Sequence, residues 1–247
     1  MPLLRLDKIL TDTGECSRSR AKELIRAGSV CVNNIPVRDA AAKFDPEAAV
    51  ILLDGKPIAA PGHLYVMLHK PAGLLSASRD PRCPTVLDLM PPEWRKRGLF
   101  CVGRLDKDTT GLLLLTDDGA FAHRVISPKG HVPKLYEAEV EGSAAEADVL
   151  AFRAGIVLKD GLECLSAELR PMGPGRVQVE VFEGKYHQVK RMLASRMLPV
   201  QQLKRLSIGA LRLDETLSPG EFRLLTQEEL TLAEQRDPCR NDEAPKN

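Results

Sequence analysis

The chain has 247 residues, of which 43% are hydrophobic and 28% charged, and its formal net charge is +1. This composition is typical of a soluble globular protein of one or two domains, and it excludes a disordered or uniformly basic chain. No apolar run reaches the ~18 residues of a membrane span, and residues 1–7 lack a signal-peptide core, so we expect a cytoplasmic protein with no membrane partner.

The first 60 residues predict a small module with a helix-helix-strand order. Apolar residues at positions 6, 9 and 10 share one helical face, and Ser17 is a suitable N-cap for a second helix that ends near Gly28. Strands are expected at residues 30–32 and 50–53. A separate domain over residues 1–60 follows from this pattern.

Basic side chains are frequent in this module, especially on its second helix: Arg5, Lys8, Arg18, Arg20, Lys22 and Arg26. Such a surface can follow a phosphate backbone, although a charged helix is more often simply solvated. The patterns R-L-D-K-x-L and S-R-S-x-A-x-x-L-I-x-x-G-x-V-x-V-N resemble the S4 RNA-binding domain. This resemblance implies that the six basic residues bind RNA.

The remainder of the chain predicts a second domain and a tail. Short apolar runs alternate with turn signals and a few helices over residues 61–232, which indicates an α+β domain. Residues 233–247 show no apolar periodicity, and we expect them to be disordered. The chain's six cysteines form no C-x-x-C pair, so we expect reduced thiols and no metal site.

Residues 103–119 form the most distinctive segment, G-R-L-D-K-D-T-T-G-L-L-L-L-T-D-D-G. The leucine run 112–115 predicts a strand that is buried on both faces, and Asp118-Gly119 signals a turn. Asp106 therefore lies on the loop that enters a strand, two residues after Arg104. A carboxylate held in such a loop can act as a nucleophile or general base, but ordinary solvated turns use the same residue types.

Two other interpretations of this segment fail on their context. An EF-hand calcium loop that starts at Asp106 would have Asp117 at its twelfth position instead of a bidentate Glu, and leucine at its ninth. The phosphotransfer loop of haloacid-dehalogenase-type phosphatases would require a downstream acidic pair for magnesium, and the sequence has no convincing one.

The whole segment resembles the catalytic motif of RNA pseudouridine synthases of the small-ribosomal-subunit type. Lys134-Leu135-Tyr136 is similar to the K-x-Y segment of that family, and residues 183–192, E-G-K-Y-H-Q-V-K-R-M, are similar to its third motif. Residues 70–73 resemble the N-K-P-x-G element, with His69 in place of Asn. The resemblance implies an S4-like α/β domain followed by a catalytic domain built on a mixed, mainly antiparallel sheet.

The family chemistry implies a role for each residue that matches a motif. A uridine of 16S ribosomal RNA is isomerised without a cofactor, after it has been flipped out of its stack. By resemblance Asp106 is catalytic, Arg104 fills the gap that the uridine leaves, and Tyr136 stacks on the base. Lys190 is the cation expected beside Asp106, and Arg191 is expected to meet phosphate. His187 is expected to be a hydrogen-bonded structural residue.

Residues 185–212 contain seven Lys or Arg and no acid, and residues 185–197 predict a basic amphipathic helix. The residues expected to be buried on it are Val189, Met192, Leu193 and Met197. Large-subunit enzymes tend to read G-x-N-R-x-V-R-R-M where this chain has G-K-Y-H-Q-V-K-R-M, which favours a small-subunit target. A large-subunit enzyme and a non-catalytic S4-type assembly factor are the alternatives. We expect a monomer.

Overall fold

A computed structural model describes residues 3–12, 16–46, 49–58, 62–127 and 130–237. The chain divides into two compact units, Met1–His63 and Leu64–Asn247. The domain boundary expected after residue 60 falls at residues 59–61, which lie outside the described residues. The expected tail begins at residue 233, where the last helix ends, and its residues 238–247 also lie outside them.

The described residues of the first unit form two helices and six short strands. They are β1 (Leu4–Arg5), α1 (Leu6–Asp12), α2 (Arg18–Ala27), β2 (Val30–Val32), β3 (Ile35–Pro36), β4 (Lys43–Phe44), β5 (Ile51–Leu53) and β6 (Lys56–Ile58). Four of the strands form an antiparallel sheet in the order β3-β2-β5-β6, and β1 pairs with β4. The Ser17 hydroxyl caps α2 by accepting from the Arg20 amide at 3.3 Å, and Gly28 ends the helix with φ +86°, as predicted.

The predicted apolar face of α1 forms part of the core of this unit, together with residues of α2, β2 and β5. Residues that are 3% exposed or less fill it: Leu6, Ile9, Leu10, Ala21, Ile25, Val30, Val32 and Ile51. Burying a leucine or isoleucine contributes roughly 1.5–3 kcal/mol. The unit therefore has a hydrophobic core of its own.

The second unit is larger and mixes helices with strands. Its elements are β7 (Tyr65–Lys70), a 3₁₀ turn (Val86–Leu89), α3 (Pro92–Lys96), β8 (Phe100–Val102), β9 (Thr110–Thr116), α4 (Gly119–Ile126), β10 (Lys134–Val140), α5 (Glu146–Ala154), β11 (Glu168–Pro171), β12 (Arg176–Val181), α6 (Gln188–Ser195), β13 (Val200–Ile208), β14 (Leu211–Arg212), β15 (Phe222–Leu224) and α7 (Gln227–Ala233).

These strands form one nine-stranded sheet. Its main order is β11-β12-β10-β13-β9-β7-β15, while β14 pairs with β13 and β8 with β9. The β9–β13 pair is parallel, and the other strand pairs among the described residues of this sheet are antiparallel. The α+β class with a mixed, mainly antiparallel sheet is therefore confirmed. Among the described residues no helix has the length and apolar character needed to cross a membrane.

Strand β9 lies inside the sheet and is buried on both faces. Its leucines 112–115 are all 0% exposed, with Leu112 and Leu114 in one core cluster and Leu113 and Leu115 in another. The predicted buried strand is confirmed. The Asp118-Gly119 turn is a helix start instead, because the Asp118 carboxylate accepts from the amides of Ala120 and Phe121 at 2.8 and 3.1 Å and caps α4.

Helix α6 is shorter than the sequence indicated. Val189, Met192 and Leu193 are buried as predicted, but Met197 is 85% exposed. The helix ends at Ser195, and Met197 has φ +60°, where the chain turns towards β13. Met197 therefore no longer shares the buried face of the helix.

Candidate active site

Asp106 lies on the loop between β8 and β9, as the sequence predicted, and this loop is fixed by the segment after β7. The Ser76 hydroxyl donates to the Leu105 carbonyl at 2.8 Å and accepts from the Leu105 amide at 3.1 Å. The Gly73 amide donates to the Lys107 carbonyl at 2.8 Å. These contacts hold the backbone on both sides of Asp106, which reduces the freedom of its carboxylate.

Lys70 is a second anchor of this loop. Its fully buried ammonium donates to the carbonyls of Pro71 at 2.9 Å, Lys107 at 3.2 Å and Thr109 at 2.9 Å. Burial lowers the Lys70 pKa to about 8, although nearby carboxylates raise it. His69, where the family pattern has Asn, is also buried, and its Nδ1 lies 2.7 Å from the Leu217 carbonyl oxygen.

The Asp106 carboxylate faces two nitrogen groups from the third motif. Its Oδ2 lies 3.3 Å from Lys190 Nζ, and its Oδ1 lies 3.4 Å from His187 Nε2. Lys190 also donates to Asp108 at 2.5 Å, which lowers the Asp108 pKa. The Asp106 side chain is 24% exposed and that of Lys190 is 22% exposed. The pair expected from the sequence is thus brought together, with Asp108 sharing the cation.

Tyr136 on β10 faces the same site beside an arginine that the sequence did not indicate. Tyr136 lies opposite Arg205 of the neighbouring strand β13, next to an irregularity in the register of the two strands. The Arg205 guanidinium lies 6.0 Å from the centre of the tyrosine ring, and its Nη1 lies 3.5 Å from the tyrosine hydroxyl oxygen. Arg205 is buried, and its Nε donates to the Leu112 carbonyl at 2.8 Å. It therefore ties Tyr136 to strand β9.

A further buried cation lies near this arginine. The Lys134 ammonium donates to the Val132 carbonyl at 2.7 Å, and desolvation together with repulsion from Arg205 lowers its pKa to about 8. Arg205 Nη2 has no hydrogen-bond partner within the described ranges. Both cations line the site and favour an anionic ligand in it.

Asp106 and Tyr136 line one open cleft of about 770 Å³, together with Arg104, Lys134, Tyr186, His187 and Arg205. Among these lining residues, Arg104 is exposed. The volume of the cleft lies within the range of about 300–1,000 Å³ that is common for small-molecule sites. In the described part of the chain no group of three or more His, Cys, Asp or Glu forms a metal-binding cluster.

Arg191, expected to meet phosphate, is already paired. Its guanidinium lies 2.6 Å from the Asp160 carboxylate, and its side chain is partly buried. Arg191 therefore holds the segment before β11 against α6 in this structure.

The six basic residues expected to bind RNA all lie in the first unit. Arg5 donates two hydrogen bonds to buried Asp7, and Arg18 lies 3.7 Å from the same carboxylate. The other four residues lie on α1 and α2. Lys8 forms an ion pair with Asp12, and Arg20 forms one with Glu23. Lys22 and Arg26 lie on α2. Asp7 thus fixes two of the arginines on one side of the unit.

Several residues that shape the site were not predicted from the sequence. Buried Glu183 accepts from the Leu165 amide and from Gln188 Nε2, both at 2.9 Å, and Gln188 Oε1 accepts from the Lys185 amide at 3.0 Å. Together they fix the turn before α6. Glu183 and Gln188 are polar residues of the third motif, and this position could have indicated a role at the site. Arg205 and Ser76 lie in no motif, so the sequence around them gave no such indication.

A family model described as RNA pseudouridylate synthase matches residues 64–195, and one described as the S4 domain matches residues 4–50. The first match covers more than half of the chain. The chain therefore belongs to the RNA pseudouridine synthase family and carries an N-terminal S4 domain, as its motifs indicated.

Individual relatives agree over nearly the full length. An uncharacterized RNA pseudouridine synthase of Bacillus subtilis, YtzG, is 41% identical over 93% of this chain and 98% of its own. The ribosomal small subunit pseudouridine synthase A of Escherichia coli K12 is 41% identical over 92% and 98%. A crystal structure of a pseudouridylate synthase superimposes with a TM-score of 0.67 and 35% identity, over 93% of this chain and 99% of that one.

Proposed function

We propose that this enzyme isomerises one uridine of small-subunit ribosomal RNA to pseudouridine. The observation that carries the proposal is the Asp106 carboxylate, fixed in a rigid loop at the cleft and ion-paired with Lys190. Relatives named as small-subunit enzymes and the G-K-Y-H-Q-V-K-R-M sequence support the choice of RNA. A large-subunit target is the nearest alternative.

The reaction balances within the uridine itself. The bond between ribose C1′ and uracil N1 breaks, the base turns, and C1′ bonds to C5; C5 then loses its proton and N1 gains one. No atom is added overall, so the chemistry requires no cofactor. Asp106 acts on the ribose of the flipped uridine, either by attacking it as a nucleophile or by removing a proton from it as a base.

The target must leave its stack before Asp106 can reach it. Unstacking costs a few kcal/mol, which contacts in the cleft offset. The Tyr136 ring supplies a stacking face for the uracil, and exposed Arg104 occupies the gap in the RNA. The buried cations Lys134 and Arg205 favour binding of the polyanionic substrate.

The S4 domain docks the RNA through its basic side chains. The residues that contact phosphates are Arg5, Lys8, Arg18, Arg20, Lys22 and Arg26. Such contacts give affinity without sequence selection. The enzyme acts as a cytoplasmic monomer. Analytical ultracentrifugation and cell fractionation test these last two points.

The decisive experiment replaces Asp106 by Asn, which is nearly isosteric but can be neither nucleophile nor base. Pseudouridine formation in small-subunit ribosomal RNA should fall at least about 100-fold, with RNA affinity unchanged within about threefold. Asp214→Asn is the matched control, because Asp214 has similar exposure and pairs with Arg223 at 2.6 Å away from the cleft. Activity of Asp106→Asn close to wild type would overturn the assignment.

The RNA target is tested separately. Pseudouridine is mapped in ribosomal RNA from cells with and without the gene, and from cells that carry Asp106→Asn. One site in the small subunit should be lost in both deficient strains. A lost site in the large subunit would instead support the alternative target, and an unchanged map would support the non-catalytic assembly factor.

A further inference from the structure

Tyr186 is a large aromatic side chain with no role in the core. It is 71% exposed, and one face of its ring stacks on His187, with centroids 3.9 Å apart and planes at 17°. Its high exposure leaves the other ring face open to solvent. Exposed aromatic rings beside a nucleic-acid site commonly provide stacking surfaces for bases.

The backbone that presents this ring is fixed. Gln188 and the buried carboxylate of Glu183 hold the turn through hydrogen bonds of 2.9 and 3.0 Å, and the Lys185 ammonium pairs with Glu183 at 2.9 Å. His187 adopts φ +48°, a left-handed conformation that costs roughly 1–3 kcal/mol for a residue with a side chain. The turn is therefore built to hold the two rings in one orientation.

The stacked pair lies directly beside the catalytic carboxylate. His187 Nε2 is 3.4 Å from Asp106 Oδ1, and both rings line the cleft that also contains Tyr136. The uracil of the target has Tyr136 as its stacking partner. When that uridine is extruded, each flanking base loses a stacking neighbour and exposes one π face.

We infer that Tyr186, supported by His187, forms a second stacking platform that binds a base next to the target uridine. This inference rests on the proposed function and extends it to the neighbouring nucleotide. The ligand is a nucleobase of the same RNA strand, held by its π face, so the platform accepts any base. It keeps the strand beside the cleft while the target is turned.

The test is a double-mutant cycle on RNA affinity. Small-subunit ribosomal RNA is ligated with an abasic residue at the target, at the nucleotide before it, or at the nucleotide after it. Each RNA is bound to full-length protein that carries Asp106→Asn, so turnover does not interfere, with Tyr, Phe or Ala at position 186. Because Tyr186 is exposed, Tyr186→Ala removes no core contact.

On intact RNA, Tyr186→Ala should weaken binding about tenfold and Tyr186→Phe less than about threefold. One flanking abasic residue should weaken binding of the Tyr protein to a similar extent and have no further effect on the Ala protein. Equal affinities for Tyr and Ala, or losses that add at both flanking positions, would overturn the inference. Coupling confined to the target nucleotide would also overturn it, since Tyr186 would then contact the uracil.

Failure of the proposed function is measured independently. Wild-type protein that forms no pseudouridine in this RNA would refute the activity, whereas the affinity cycle reports on stacking whether or not turnover occurs. A protein that is active but shows no coupling at position 186 would refute the platform alone.

Discussion

Lys190→Met removes the cation that contacts Asp106. At 3.3 Å and an effective dielectric constant of about 20, one such pair is worth about 5 kcal/mol. Both side chains are about a quarter exposed. We therefore take a value of roughly 1–3 kcal/mol, between the ~1 kcal/mol of an exposed pair and the ~3–5 kcal/mol lost when a buried pair is broken. If this stabilisation persists in the transition state, the single-turnover rate should fall about 5- to 150-fold. RNA affinity should change less, because Lys190 is one of many basic residues.

Single-turnover formation of pseudouridine and a separate binding titration distinguish these effects. Lys190→Arg keeps the charge and should recover part of the rate, while Lys96→Met, on exposed α3, is the control for loss of a lysine. A Lys190→Met rate within about twofold of wild type, with normal affinity, would show that the ion pair has no part in turnover. A loss confined to affinity would instead make Lys190 a phosphate contact.

Three further outcomes are expected. Gly111→Ala should destabilise the protein by more than about 3 kcal/mol in thermal or urea unfolding, because φ is +101° and a Cβ would overlap the Arg205 carbonyl oxygen; an unchanged midpoint would contradict the β9–β13 contact. Burial lowers the pKa of Lys134 in the folded protein to about 8, whereas its ordinary value in the unfolded chain is about 10.5. Between these two pH values the unfolded chain binds a proton that the folded protein has lost. The free energy of unfolding should therefore rise by about 2 kcal/mol from about pH 7.5 to 10 relative to Lys134→Met, and a constant difference would refute the shift. Deletion of residues 1–63 should leave a folded second unit that binds RNA more weakly and with a smaller salt dependence. If the shortened protein bound RNA with full affinity at several salt concentrations, docking by the S4 domain would be contradicted.

The sequence predicted those parts of the site that are encoded locally. Asp106 and the leucine strand belong to one continuous segment, so their relation could be read without knowledge of the fold. The Asp118-Gly119 prediction failed because aspartate starts both turns and helices. Phe121, Ala122 and Val125 follow at helical spacing and are buried, and that spacing was the signal for an N-cap.

Contacts between segments that are distant in the chain were harder to predict from the sequence. Arg205 looked like one more basic residue in an acid-free stretch, yet it is buried and bonded to a carbonyl 93 residues earlier in the chain. Lys190 was assigned to Asp106 by resemblance, but nothing in the sequence indicated that Asp108 would share it. Both arrangements depend on how β13 and α6 pack against the Asp106 loop.

The parallel β9–β13 pair explains why motifs spread over a hundred residues converge. Lys204 and Arg205 align with Thr110 and Gly111, so β13 approaches β9 where the Asp106 loop enters the sheet. β10 lies on the other side of β13 and places Tyr136 opposite Arg205. Glycine at 111 permits this close approach, since the Arg205 backbone occupies the space of a side chain. The β9–β13 contact therefore sets the spacing between Asp106 and Tyr136.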